Sequence, residues 1–165
     1  MPRTDELAKL YELLEGFGVA MMTTEGPDGL LHARPMMSQG SLPDADLVFV
    51  SSLETDKIQE IQANPKVNLA FYRESDRAWV SIAGLARVSQ DRSRIRELFK
   101  EGWTVWFPNG PEQEDLCLIK VQVRKVTFWQ PHHGAIGTLF AMAGAYLKGE
   151  HPDLPPAQTM IVPAD

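Results

Sequence analysis

Residues 46–65 read D-L-V-F-V-S-S-L-E-T-D-K-I-Q-E-I-Q-A-N-P, and few folds accommodate such a stretch. Leu47, Val48, Phe49 and Val50 form an apolar, β-rich run too short for a helix, which predicts a strand buried on both faces that stops at Ser51 and Ser52. Thr55 and Asp56 have the pattern of a helix start. Ile58 and Ile61 then supply an apolar stripe until Asn64-Pro65 ends the helix, so Lys57 falls in its first turn. The first turn of a helix exposes unpaired N–H groups and the positive end of the dipole, so hydroxyls and a cation gathered there make an anion site, with phosphate its natural guest. The same residues admit a plainer reading, in which Ser51, Ser52 and Thr55 cap a turn and Lys57 is solvated.

On either side of this stretch the sequence alternates like a set of hairpins. Leu7, Leu10, Tyr11 and Leu14 have helical spacing and Gly16 and Gly18 follow, so a short amphipathic helix opens the chain. Strands are expected at residues 17–24 and 30–37, joined by E-G-P-D-G, and at 66–73, 79–89 and 116–130. Gly84 interrupts the fourth of these, as a bulge or a close backbone approach would. Residues 91–100 read as a helix, as do the apolar positions Ile136, Leu139, Phe140, Ala143 and Leu147. Together these elements predict a mainly β fold with peripheral helices, a six-stranded antiparallel Greek-key barrel in one domain over residues 1–150. A proline-rich tail, 151–165, is expected to lie on the surface or be disordered.

Arg34 lies within an otherwise apolar strand, where an unpaired guanidinium is costly, so it needs water, a carboxylate or a phosphate; snorkelling at a sheet edge beside Pro35 is the alternative. The aromatic stretch W-T-V-W-F-P-N-G-P has no clear period and reads as an ordered loop whose Trp103, Trp106 and Phe107 either cover the core or meet a planar ligand or a second subunit.

The 165 residues carry a formal charge of −6, which argues against broad binding to nucleic acid or anionic membranes. Cys117 is the only cysteine and sits in an apolar strand, consistent with a reducing, cytoplasmic setting. No apolar run approaches membrane-spanning length. The histidines are His32, His132, His133 and His151, without H-E-x-x-H or C-x-x-C, so no metal centre is expected.

R-P-M-M in one strand, V-F-V-S-S ending the next, T-D-K-I at the helix start, then A-N-P-K-V-N-L-A-F and W-V-S-I-A-G-L-A-R resemble the FMN-binding split-barrel superfamily of pyridoxamine 5′-phosphate oxidase. The later W-F-P-N-G-P and L-C-L-I-K-V with a terminal F-W are similar to its general stress protein branch. The resemblance implies an FMN phosphate held by Arg34, Ser51, Ser52 and Lys57. It also implies backbone from Pro35, Met36 and Met37 beside the isoalloxazine ring, with Val50 at the end of the neighbouring strand. The flavin would lie at a homodimer interface, where Trp79, Trp106 or Trp129 could contact it, one or more from the partner chain.

The chain also departs from the oxidase pattern. Asp56 stands where those enzymes carry a basic residue before the helix lysine, and their C-terminal arginine-and-histidine motif is absent. Vitamin B6 oxidation is therefore not the expected activity. A flavin-dependent redox or stress-response protein is, with non-catalytic flavin binding or storage as the alternative. A haem-binding split barrel with His32, His132 or His133 as axial ligand is a third reading.

Overall fold

The computed structural model describes residues 3–130, 145, 147, 149 and 156–164. Helix α1 (Arg3–Leu14) leads into strands β1 (Val19–Glu25) and β2 (Leu31–Met37). After β3 (Leu47–Ser52) and helix α2 (Asp56–Ala63) come β4 (Lys66–Arg73), β5 (Ala78–Ser89), α3 (Arg92–Leu98), β6 (Leu116–Trp129) and β7 (Gln158–Ile161). The helix expected around Ile136 to Leu147 falls largely outside the described residues, although Ala145 and Leu147 are helical.

Every pairing is antiparallel, and the strands form one seven-stranded sheet in the order β2-β1-β4-β5-β6-β3, with β7 added beside β6. The sheet curls until its outer members, β2 and β3, approach each other. There Gln39 N–H donates to Val48 O at 2.7 Å and Val48 N–H to Gly40 O at 2.9 Å, but no ladder joins β2 to β3. The barrel is split at this place.

The seventh strand corrects the six-strand expectation. Gln158 to Ile161 pair with Phe128 to Lys125, and Val162, 2% exposed, enters the main core. The prolines around this segment hid a short apolar run, Met160 to Val162, that had a sheet edge to satisfy.

Alternation explains what each strand buries. Along β1, Ala20, Met22 and Thr24 face the interior while Val19, Met21 and Glu25 face out, and β4 and β5 repeat the pattern. The barrel core joins Met22, Phe49, Leu69, Ile82, Ile119 and Val121 with Ile58 and Ile61 of α2. Each large apolar side chain removed from water contributes roughly 1.5–3 kcal/mol. β3, flanked by core on both sides as its continuous apolar run implied, turns Phe49 to the barrel and Val48 to a second cluster.

That second cluster resolves most of the aromatic loop. Trp103 and Phe107 are buried with Val48, Ile95 and Leu118, and Trp103 meets Phe99 edge-on at 5.4 Å. Trp106 is left 77% exposed. Gly84 meets both expectations at once: the β5–β6 register shifts at Ala83/Gly84, and a Cβ on Gly84 would sit 2.7 Å from Gln122 O.

Candidate functional site

The turn between β3 and α2 draws its polar groups together through the side chain of Lys57. Its Nζ donates to Ser51 Oγ at 3.1 Å and to Thr55 Oγ1 at 2.9 Å, and Thr55 Oγ1 donates in turn to Ser52 O at 2.9 Å. Thr55 occupies the N-cap of α2 but its hydroxyl makes no capping bond, because it is engaged with Ser52 and Lys57. The turn therefore shares features with both readings from the sequence: the Ser52 and Thr55 hydroxyls bond within the turn, while Lys57 is partly withdrawn from water. Burial pushes its ammonium below the ordinary lysine pKa, and the positive charge of nearby Arg34 pushes the same way.

Ser51 is buried and Ser52 half-buried. The Ser52 Oγ accepts from Glu54 N–H at 3.1 Å and its hydroxyl helps hold the Asp115 carboxyl below the usual range, so Ser52 is occupied by the turn rather than by Lys57. Val50 is half-buried and packs against the second cluster. Beneath Ser51, the Cys117 thiol donates to Ser51 O at 3.3 Å, and burial pushes it up to about 12, so it stays protonated.

Arg34 reaches this region from the opposite end of the strand series. On β2 the side chains of His32, Arg34 and Met36 turn inward and those of Ala33, Pro35 and Met37 turn outward. The Arg34 guanidinium finds a protein partner that sequence reasoning did not name: Nη2 donates to Glu60 Oε2 at 2.7 Å, and Nη1 donates to His32 O at 2.9 Å and to Thr24 Oγ1. Glu60 lies on α2, only 4% exposed at its side chain. It also accepts from Thr24 Oγ1 at 2.5 Å and bonds His32 Nδ1 at 2.8 Å. The Thr24 bond foremost, then those of His32 and Arg34, hold the Glu60 carboxyl at a pKa of about 2 against its burial.

Arg34 and Lys57 thus flank Glu60, one turn of helix and one strand apart. Helical spacing gave no signal for Glu60, which is two residues from Ile58 and one from Ile61 and so lies off the stripe that those two define. The need of Arg34 for a partner was legible, but nothing local pointed to Glu60.

The other expected site residues lie elsewhere. Pro35 and Met37 are exposed on the outer face, and Met36 packs against the barrel core. Trp79 and Trp129 are direct cross-strand neighbours on that outer face, and Trp79 stacks on Tyr72 at 5.1 Å. None of the three tryptophans shares a hydrogen bond with Arg34, Ser51 or Lys57. His32, a candidate axial ligand, has Nδ1 on Glu60 and Nε2 3.8 Å from Asp28; His132 and His133 lie outside the described residues. Among the described residues no group of three or more His, Cys, Asp or Glu side chains is arranged to hold a metal, and no helix is long and apolar enough to cross a membrane.

Residues 5–153 match the family described as pyridoxamine 5′-phosphate oxidase like. Protein bli-3 of Neurospora crassa is 21% identical over 160 residues, covering 91% of this chain and 77% of that protein. Among solved structures, a protein named as a general stress protein 26 from Jannaschia sp. CCS1 superposes with a TM-score of 0.71 at 23% identity, covering 96% of this chain and 99% of that one. The general stress FMN/FAD binding protein of Xanthomonas citri superposes at 0.63 with 23% identity, over 77% and 89% of the two chains. At these identities the structural likeness concerns the fold.

Proposed function

Because the chain belongs to the pyridoxamine 5′-phosphate oxidase-like family, we propose that it is a cytoplasmic FMN-binding protein of the general stress type that takes part in flavin-dependent redox chemistry. The observation that carries this reading is the pair of cations around the start of α2. Lys57 is half-buried, held by the hydroxyls of Ser51 and Thr55, and close enough to Arg34 for the two charges to repel. Glu60 offsets one of these two charges through Arg34, the positive charge of Lys57 stays available to an anion, and the uncapped first turn of α2 adds N–H donors in the same place. The donor set fits a phosphate monoester.

In this reading Arg34 and Lys57 supply charge to the phosphate, the hydroxyls of Ser51 and Thr55 orient Lys57, and Ser52 shapes the turn. The β2 backbone at Pro35, Met36 and Met37 borders the ring. Bound FMN would supply hydride or single-electron transfer, while the protein supplies orientation and electrostatics. Asp56, in the first turn beside Lys57, lowers the net positive charge of the site, which favours moderate affinity over permanent retention.

The outer sheet face supports a homodimer with the flavin at its interface. Val19, Met21, Tyr72, Trp79 and Trp129 are each between 40% and 46% exposed on neighbouring strands, a contiguous apolar surface that a second copy would cover. Trp79, Trp129 or the protruding Trp106 would then reach the ring from one subunit or the other.

An absorbance spectrum of the purified protein, with and without added FMN, tests the proposal. A flavin spectrum that is bleached by a reduced nicotinamide supports redox turnover; a flavin spectrum without bleaching reduces the function to binding. A Soret band, or no binding of added FMN, overturns it. Sedimentation of wild type and Met21→Glu tests the interface, with a dimer expected for the first and an 18.5 kDa monomer for the second.

A further inference from the structure

The geometry points to Glu60 as the positioning residue for Arg34: a buried carboxylate that fixes the inner edge of the guanidinium so that its remaining N–H groups face a bound phosphate. This rests on the phosphate reading above and adds a residue to it. A guanidinium carries five N–H groups in a rigid fork. Nη1 and Nη2 spend three of them on Thr24 Oγ1, His32 O and Glu60 Oε2. The Nε–H and one N–H of Nη2 have no partner among the described residues.

Glu60 is built to stay where it is. Its Oε2 is bonded by Thr24 and Arg34 together, its Oε1 by His32 Nδ1, and its side chain is almost wholly excluded from water. Thr24 Oγ1 touches both Glu60 and Arg34, which closes a triangle of three side chains on two strands and a helix. His32 is backed by Gly26, where a Cβ would come within 2.6 Å of its Cε1. A carboxylate so enclosed cannot swing out to meet an incoming anion, and it is not displaced when one arrives. Without it, a long side chain on an outermost strand samples other rotamers, and that freedom has to be lost again on binding.

The alternative role for Glu60 is competition, in which its charge simply opposes the phosphate. The two roles predict opposite signs. If Glu60 positions Arg34, Glu60→Gln weakens FMN about tenfold and leaves riboflavin, which has no phosphate, unchanged, because only charge-assisted bonds made through Arg34 are lost. Thr24→Val removes the shared hydroxyl without altering any charge, and should weaken FMN about threefold, again sparing riboflavin. In an Arg34→Ala background both substitutions should have no further effect on the FMN-to-riboflavin affinity ratio, since the residue they act through is gone.

Titration of FMN and riboflavin into wild type, the three single variants and the two doubles reads all of this. Tighter or unchanged FMN binding in Glu60→Gln overturns the positioning role, as does a parallel loss of FMN and riboflavin, which is what mere loosening of the fold produces. Should Glu60→Gln fail to fold, Thr24→Val carries the test alone: a fall in the ratio that disappears without Arg34 supports the proposal, and an unaltered ratio overturns it. An Arg34→Ala variant that binds FMN like wild type overturns the phosphate reading itself.

Discussion

Lys57 Nζ lies 3.1 Å from Ser51 Oγ, across the turn that joins the end of β3 to the start of α2. A lysine in such a position loses hydration and receives in exchange two neutral hydroxyl acceptors, which do not neutralise it. That imbalance is what a bound anion would relieve.

Lys57→Ala and Arg34→Ala are each expected to weaken FMN by about ten- to a hundredfold, from roughly 1.5–3 kcal/mol per charge-assisted bond. Flavin fluorescence titration measures it. The fold should survive Lys57→Ala, since that side chain contributes no apolar surface to the barrel core.

Asp56→Asn keeps the size of the side chain and removes its charge. Near a phosphate at about 6 Å and an effective dielectric of about 20, that charge repels by roughly 2–3 kcal/mol per unit before salt screening, against about 0.3–1 kcal/mol gained with the helix dipole. FMN should therefore bind several-fold tighter in this variant at low ionic strength, with the ligand-free melting temperature little changed. Equal or weaker binding would place the Asp56 carboxylate away from the phosphate.

Glu60 should make stability depend on acid. Its carboxyl titrates at about 2 in the folded protein against an ordinary 4.5. A lowered folded-state pKa means that the stabilisation is fully present above 4.5 and is lost as the pH falls toward 2. Urea midpoints measured from pH 7 down to pH 3 should fall through that window. In Glu60→Gln the midpoint should be lower at pH 7 and this part of the acid dependence should flatten.

Gly84→Ala probes the bend in β5. The new Cβ would meet Gln122 O at 2.7 Å and Val121 Cγ1 at 3.0 Å, and a backbone oxygen inside a ladder has little room to yield. A loss of about 1–3 kcal/mol is expected, typical of overpacking, and chemical denaturation would record it. An unaltered midpoint would mean that the bulge can absorb a methyl group.

The strands were legible because their cues are local. Residues 66–73 alternate so regularly that the sequence reading and β4 coincide, and Gly84 announced its own bulge. The helix expected over residues 91–100 is α3, and Asp91 is its N-cap, accepting from Ser93 N–H and Arg94 N–H. What escaped was long-range. Arg34 was known to need a partner, yet Glu60 is 26 residues away and becomes its neighbour only because α2 packs across β1. The short strand β7 was obscured by prolines on both sides of it. Trp103 and Trp106 look alike in sequence, and only the direction of the turn that carries them buries one and exposes the other.

The split between β2 and β3 places Arg34 on one terminal strand of the series and Ser51 on the other, with Lys57 just beyond it. The backbone bonds at Gln39, Gly40 and Val48, the bonds of His32 and Arg34 to Glu60 and the packing of α2 fasten these ends to each other. An anion gripped from both sides would act as a clasp: the free energy with which it binds is also free energy resisting the parting of the two strands. Amide protons along β2 and around Val48 would then exchange faster than those of β5 and β6 in the ligand-free protein, and slow selectively once the clasp is shut.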